Sequence, residues 1–264
     1  MTSNRLAQSI RFFFLAQRYY WKDFLVYRAQ AVVWALYSLI NFLFSYVAIT
    51  VIYNVSSGIS GWSYFQMLFL VSTASLVFGT INYVLSPDWI NQLMRRGGMD
   101  TRLIRPYGRA TIYLSAEGSL SSIVSAFGAF VVLIYSAFRL GLGPAPFIGY
   151  LLLLAIGTVT LTLMLLMLIV AAYVVVRGSS AVSRMLSFMS QASSYPLPVY
   201  GIVGQLIFTL VIPIGVASYY PSELVLTSVG ALTLAVVLLV SVAISTVSYL
   251  GFNRLMRHYT SGGG

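Results

Sequence analysis

The residue types that ordinarily carry chemistry are scarce in this chain, and where they fall excludes more than it suggests. A nucleotide-binding P-loop needs a Gly-Lys pair, so that backbone amides and a lysine hold the phosphates. The only lysine among the 264 residues is Lys22, and it follows Trp21. The chain is therefore expected to carry no cofactor and no ATPase site of its own. A metal centre needs several nitrogen, sulfur or carboxylate ligands that converge. Cysteine is absent, His258 is the single histidine, and the five acids, Asp23, Asp88, Asp100, Glu117 and Glu223, are spread along the chain. Neither a metal site nor a disulfide is expected. Serines are plentiful, but His258 lies beyond the last apolar run, which argues against a Ser-His couple inside a membrane. No catalytic residue is assigned.

Two stretches still place polar or binding side chains where they count. Glu117 is the one acid inside a long apolar run. A charge at membrane depth costs about 2.5–3.5 kcal/mol on insertion scales, which makes it a functional candidate by default. It lies about two turns from the start of its run, close enough for a structural pairing with Arg109 or a neighbouring helix end, the reading its position favours. The second stretch, 86–109, opens on Ser86-Pro87-Asp88, a cap, a proline and an early acid that start a helix, and Gly97-Gly98 stops it. Ile90, Leu93 and Met94 give it one apolar face beside Trp89, with Arg95, Arg96, Asp100 and Arg105 around it, a pattern that by itself serves to cap a bundle and meet lipid headgroups.

These side chains hang on apolar helices. The chain is 59% hydrophobic and 8% charged, more apolar surface than a soluble core of this length buries. Runs long enough to span a bilayer, roughly 20 residues, recur at 31–53, 62–85, 110–138, 147–176 and 224–252. The stretch 179–223 leaves two alternatives. Either 199–220 is the fifth crossing, or 181–194 is, and the part broken by Pro196, Pro198, Pro213 and Pro221 folds back on itself. Small residues at Ser121, Ser125 and Gly128 permit a close helix approach. Ahead of the spans, Leu6, Ile10, Phe13, Phe14, Trp21 and Phe24 recur at spacings of three and four, with Arg11, Arg18 and Lys22 on another stripe. That pattern predicts an amphipathic interfacial helix over 1–30.

Charge sets the orientation. Fourteen of the fifteen basic residues fall on one side of these spans, and only Arg139 falls opposite. The positive-inside bias then puts both termini in the cytoplasm of a multi-pass cell-membrane protein. The net charge of +10 belongs to this topology and to membrane lipids, not to a nucleic-acid partner.

Gly97-Gly98-Met99-Asp100 followed by Leu103-Ile104-Arg105-Pro106 resembles a pattern of type-2 ABC exporter permeases, particularly a subgroup known as uncharacterised transport permeases. Tyr195-Pro196-Leu197-Pro198-Val199-Tyr200, and then Phe208-Thr209-Leu210-Val211-Ile212-Pro213, resemble that subgroup's second pattern. The resemblance implies an all-α integral membrane protein, with six transmembrane helices over 31–252 and an interfacial helix before them. A re-entrant hairpin over 196–221, carrying Tyr195, Pro196, Pro198, Pro213 and Pro221, would precede the last span, and 253–264 would be a cytoplasmic tail. It also implies a second permease subunit, identical or similar, and two cytoplasmic ABC ATPase subunits that hold ATP and Mg. The 86–109 loop would dock on those subunits as the coupling helix, with Trp89, Ile90, Leu93 and Met94 as anchors in a groove and its arginines against an acidic rim. An aromatic-rich pathway with few charges favours a lipid, glycolipid or drug-like cargo. Two other classes stay open from the residues alone: a membrane scaffold or assembly protein that moves nothing, and an ATP-independent carrier, for which Glu117 is the obvious coupling group.

Overall fold

The computed structural model of the chain describes residues 2–55, 58–115, 118–176, 180–227 and 230–260. Glu117 lies outside the described residues. The ordered elements are helical. Helix α1, Thr2–Val26, is parted from α2, Arg28–Val55, only at Tyr27. Helix α3, Tyr64–Leu85, begins two residues later than the apolar run suggested. There the Ser63 hydroxyl accepts from the Gln66 amide at 3.4 Å while the Gln66 carboxamide oxygen accepts from the Ser63 amide at 2.8 Å, a capping box that fixes the start.

Among the described residues five helices are long and apolar enough to cross a membrane: Arg28–Val55, Tyr64–Leu85, Ser121–Arg139, Pro146–Val175 and Ala231–Leu255. A sixth crossing is reached if Val182–Ala192 and Leu197–Val211, which meet at a bend of 113°, count as one span. The bend falls where Pro196 and Pro198 sit, since a proline donates no backbone hydrogen bond and crowds the preceding turn.

Two expected spans are corrected. The run 110–138 is not one helix: α6, Arg109–Leu114, ends at Ser115, and α7, Leu120–Arg139, begins after a break. Ser115 turns its hydroxyl back to the Thr111 carbonyl at 2.7 Å, and Gly118 lies so close to the Tyr83 ring that no β-carbon would fit. The last span starts at Ala231, not at 224. Residues Tyr220–Leu226 form the separate helix α11, which ends at Thr227.

Helix α3 is the axis of the bundle. Met67, Phe69, Leu70, Ile81 and Leu85 on it are all buried, and it packs along α7 on one side and against α8, Pro144–Val176, on another; α8 in turn packs along α12, Ala231–Leu255. The close approach predicted for the small residues of α7 is present. Ser38 of α2 donates to the Ser121 carbonyl at 2.6 Å and shares a 2.6 Å hydrogen bond with Ser125. At Gly128 a β-carbon would sit 2.9 Å from the Phe42 ring. Much of the outward surface of α2 stays exposed, including Val33, Leu36, Ile40 and Phe44, as a helix facing lipid or a second chain requires.

Between the bend and α12 the backbone alternates between tight and wide turns. A 3₁₀ turn at Leu197–Tyr200 leads into α10, Gly201–Leu206, and two π-helical turns follow at Ile207–Val211 and Gly215–Tyr219, on either side of Pro213. Pro196, Pro213 and Pro221 are buried, whereas Pro198 and Tyr195 are exposed. The Tyr200 hydroxyl ties this segment back to the Ala192 carbonyl at 2.8 Å, and Tyr219 packs on Trp62 at 5.8 Å, beside the start of α3.

Candidate functional site

The loop between α3 and α7 holds most of the side chains singled out from the sequence, and the fold divides them. Helix α4, Pro87–Arg95, starts with proline at its first turn, but Ser86 does not cap it with its side chain. Its hydroxyl donates instead to the Asn82 carbonyl one turn back, at 3.0 Å. The helix stops where Gly97 takes φ +69°, a left-handed conformation that glycine adopts without a steric penalty. A second short helix, α5, Asp100–Leu103, follows.

Ile90 and Met94, expected as anchors for a partner, are not available to one: both are completely buried inside the chain, with Met99 beside them in the main core. The reason is amphipathic. Ile90 and Met94 are four residues apart and share one face of α4; α4 packs against α8 and is linked through Tyr113 to the end of α12. The Tyr113 hydroxyl donates to the Met256 sulfur at 3.4 Å and lies 3.9 Å from the Met94 sulfur. The Tyr113 ring stands edge-on to Phe252 at 5.5 Å. From α8, the Tyr173 hydroxyl reaches the carbonyls of Met94 at 3.4 Å and Thr260 at 3.3 Å, and its ring stacks on Tyr259 at 5.4 Å. Asp100 lies beside Tyr259. Burial first, and then the Asp100 carboxylate and Tyr173, push the Tyr259 hydroxyl well above the ordinary tyrosine range, so it stays a neutral donor.

Trp89 and Leu93 are half-buried. The Arg102 guanidinium lies 4.4 Å over the Trp89 ring, a cation–π contact, and also donates to the Tyr20 hydroxyl of α1 at 3.4 Å. Tyr20 in turn donates to the Ser115 carbonyl at 3.3 Å. A second link joins the same two parts, for Phe12 of α1 stacks on Tyr107 at 4.2 Å and Arg105 lies 5.8 Å over Phe12. The N-terminal helix is thereby bolted to the loop through aromatic rings and arginines.

The exposed residues described on this loop include several arginines and one large apolar side chain, Ile104. Arg95, Arg96 and Arg105 are exposed, and Ile104, 83% exposed, stands next to Arg105. Ile104 was not among the anchors read from the sequence. Its only signal there was an isolated β-branched residue in a run of arginines, and Leu103 beside it carried the same signal. The fold buries most of Leu103 and leaves Ile104 outside. The bent segment holds Tyr195 and its prolines through local backbone bonds: the Tyr195 amide donates to the Ala192 carbonyl at 3.3 Å, and the Pro196 and Pro213 carbonyls accept from the amides of Val199 and Ala217 at 3.1 and 3.2 Å. Among the described residues no three of histidine, aspartate or glutamate converge.

The comparisons with known proteins agree with this layout. No curated protein and no solved structure matches the chain. The family described as ABC-2 family transporter protein matches residues 39–263, a stretch that takes in the loop, the bent segment and all but the beginning of the apolar helices. A multi-pass helical bundle, matched over most of its length, thus belongs to the ABC-2 family of transporter proteins, as the membrane-spanning permease part and not the ATPase of such a system.

Proposed function

We propose that the chain is one permease subunit of an ATP-driven exporter, acting with a second permease, identical or similar, and with two cytoplasmic ABC ATPase subunits that bind Mg-ATP. The 86–109 loop and both termini then face the cytoplasm, α1 rests at the inner interface, and 196–221 is a re-entrant hairpin at the opposite face. The cargo is hydrophobic or amphipathic, of lipid, glycolipid or drug-like class. One observation carries the docking part of this reading. The loop's buried apolar face is already used to hold it rigidly to the bundle, and what it offers outward is Ile104 among arginines, an apolar anchor with a basic rim. A loop fixed on its inner side by α8 and α12 and on its flank by α1 passes a push from a docked partner into those helices.

The test uses the full-length chain purified from native membranes. The wild-type chain is expected to bring with it a P-loop ATPase whose Mg-ATP hydrolysis is measurable. Changing Ile104 to Asp together with Arg105 to Glu should lower recovered ATPase about tenfold or more, the loss typical of an anchor residue, while the variant stays monodisperse. An unchanged yield and turnover from that variant sinks the docking assignment.

A further inference from the structure

Helix α1 lies across the end of the bundle where α3 stops and α6 begins. Phe12 stacks on Tyr107, Tyr20 donates to the Ser115 carbonyl, and Trp21 hydrogen-bonds the hydroxyl of Tyr83, two residues before the end of the spanning helix α3. These contacts fix which side of α1 faces out. Ile10, Phe14 and Trp21 are 50, 66 and 46% exposed, and spacings of four and seven put them on one stripe. Arg11, Arg18 and Lys22 are exposed as well, at spacings of seven and four, on the stripe beside it. An apolar stripe and a basic one thus run side by side over about three turns.

What covers this face follows from where α1 is tied. Its last residue, Val26, is two positions before Arg28, the first residue of the spanning helix α2, and Lys22 is six residues from that span, about 9 Å at a helical rise. A face held at that depth meets lipid, with acyl chains along the apolar stripe and headgroups along the basic one. Tyr19, with the Lys22 ammonium 5.7 Å over its ring, is the kind of side chain that sits at headgroup level. Charge selects the headgroup. A zwitterionic lipid brings an ammonium that opposes the pull of its phosphate, whereas an anionic one offers phosphate alone, which a guanidinium fork matches. Each basic residue near an anionic surface strengthens association roughly fivefold.

We propose that the stripe of Arg11, Arg18 and Lys22 is a binding surface selective for anionic phospholipid, and that lipid held there steadies the 86–109 loop through α1. The route runs from Tyr20 to Arg102, which lies over Trp89, and from Phe12 to Tyr107. Seated on lipid, α1 holds those partners in place; released, it carries them away. The lipid preference is independent of the exporter reading, while any effect on a partner's ATP turnover rests on it.

The experiment reads binding without ATP or any partner. Full-length chain in detergent is offered phosphatidylglycerol and phosphatidylcholine with matched acyl chains, and the retained lipids are counted by native mass spectrometry. Phosphatidylglycerol should be retained about tenfold or more over phosphatidylcholine, less so in about 0.5 M salt. Arg11→Gln, Arg18→Gln and Lys22→Gln together should bring the two lipids within about twofold; glutamine keeps the helix-forming tendency at these exposed positions. Arg18→Gln alone, with an expected loss of about fivefold, serves if the triple variant does not fold. Arg254→Gln with Arg257→Gln, exposed bases at and after the end of α12, should keep the preference. In nanodiscs, replacing half of the phosphatidylcholine by phosphatidylglycerol should slow hydrogen exchange at the 99–107 amides roughly threefold in wild type and leave the triple variant unchanged. A triple variant with the wild-type preference overturns the proposal, and an equal loss in the α12 variant does too, since net charge alone would then explain the preference. Displacement of the lipid by free glycerol phosphate would make the surface a phosphate pocket, and a triple variant that alters only the dimer fraction would make it a contact between copies; either overturns it. Loop exchange that ignores lipid charge overturns the link through α1. Selective retention by a chain that recovers no ATPase sinks the exporter reading and leaves the lipid surface in place.

Discussion

Replacing Gly157 by alanine puts a methyl group where the backbone of the bent segment already lies. A β-carbon on Gly157 of α8 would come 2.5 Å from Ala217 Cα, closer still to the Val216 carbonyl oxygen, and 2.9 Å from the Val216 carbonyl carbon. Ordinary contact begins at 3.4 Å, so the 215–219 turn must withdraw by about 0.9 Å. The obstacle is backbone, fully buried from Gly215 to Tyr219, so no side-chain rotation relieves it. Overpacking of this kind costs about 1–3 kcal/mol, offset in part by the gain of roughly 0.5–1 kcal/mol from alanine over glycine in a helix. A net loss of about 1.3 kcal/mol, the middle of the resulting range, corresponds to a fall in melting temperature of roughly 2.5–5 °C for a chain of this size. Gly251→Ala in α12 is the internal control. Its β-carbon would meet the Met167 sulfur at 2.6 Å, but a thioether at the end of a flexible side chain moves aside, and melting should stay within about 2 °C of wild type. The assay is the monodisperse fraction left after heating in detergent, measured by fluorescence-detected size exclusion. If the two variants melted together, the argument that α8 needs a glycine to reach the hairpin backbone would be refuted.

Other outcomes follow from single contacts. Tyr173→Phe keeps the ring stack on Tyr259 but removes the hydroxyl shared between the Met94 and Thr260 carbonyls; the loop should loosen by about 1 kcal/mol, seen as roughly fivefold faster trypsin cleavage at Arg95 and Arg96 with α3 unaffected. Burial raises the Glu223 carboxyl above its ordinary range, opposed by the hydrogen bond donated by Tyr219 at 3.0 Å. A carboxyl raised in the folded state stabilises below its unfolded value and gives that stability up as pH rises through the folded one. Melting temperature should therefore fall in wild type as pH rises from the ordinary glutamate range through the raised folded-state one, and Glu223→Gln should flatten that part of the profile. A variant with the wild-type slope would place the titration elsewhere.

The contacts also show why the 86–109 loop and the N-terminal helix belong to one mechanical unit. Arg102 sits on Trp89 and reaches Tyr20, while Phe12 lies on Tyr107. Each link is individually weak at an exposed surface, but together they join α1 to α4 and α5 at several points.

Composition alone determined that this chain lives in a membrane, because apolar runs of spanning length have no other solvent, and the distribution of arginine divided the loops between two sides. Spacing found the start of α4 and its stop at Gly97, since proline and glycine act through their own backbone geometry and need no neighbours. Tertiary structure alone decided which side of α4 is spoken for. Ile90 and Met94 look like anchors in a one-dimensional reading because a helix facing its own bundle and a helix facing a partner share the same periodicity. Only the positions of Tyr113, Tyr173 and Phe252, far away in the chain, turn that face inward and leave Ile104 outside. The break after Ser115 was hidden for a similar reason. Hydropathy sums over a window and is blind to a backbone that interrupts its own hydrogen-bond ladder where Gly118 lets Tyr83 press against it.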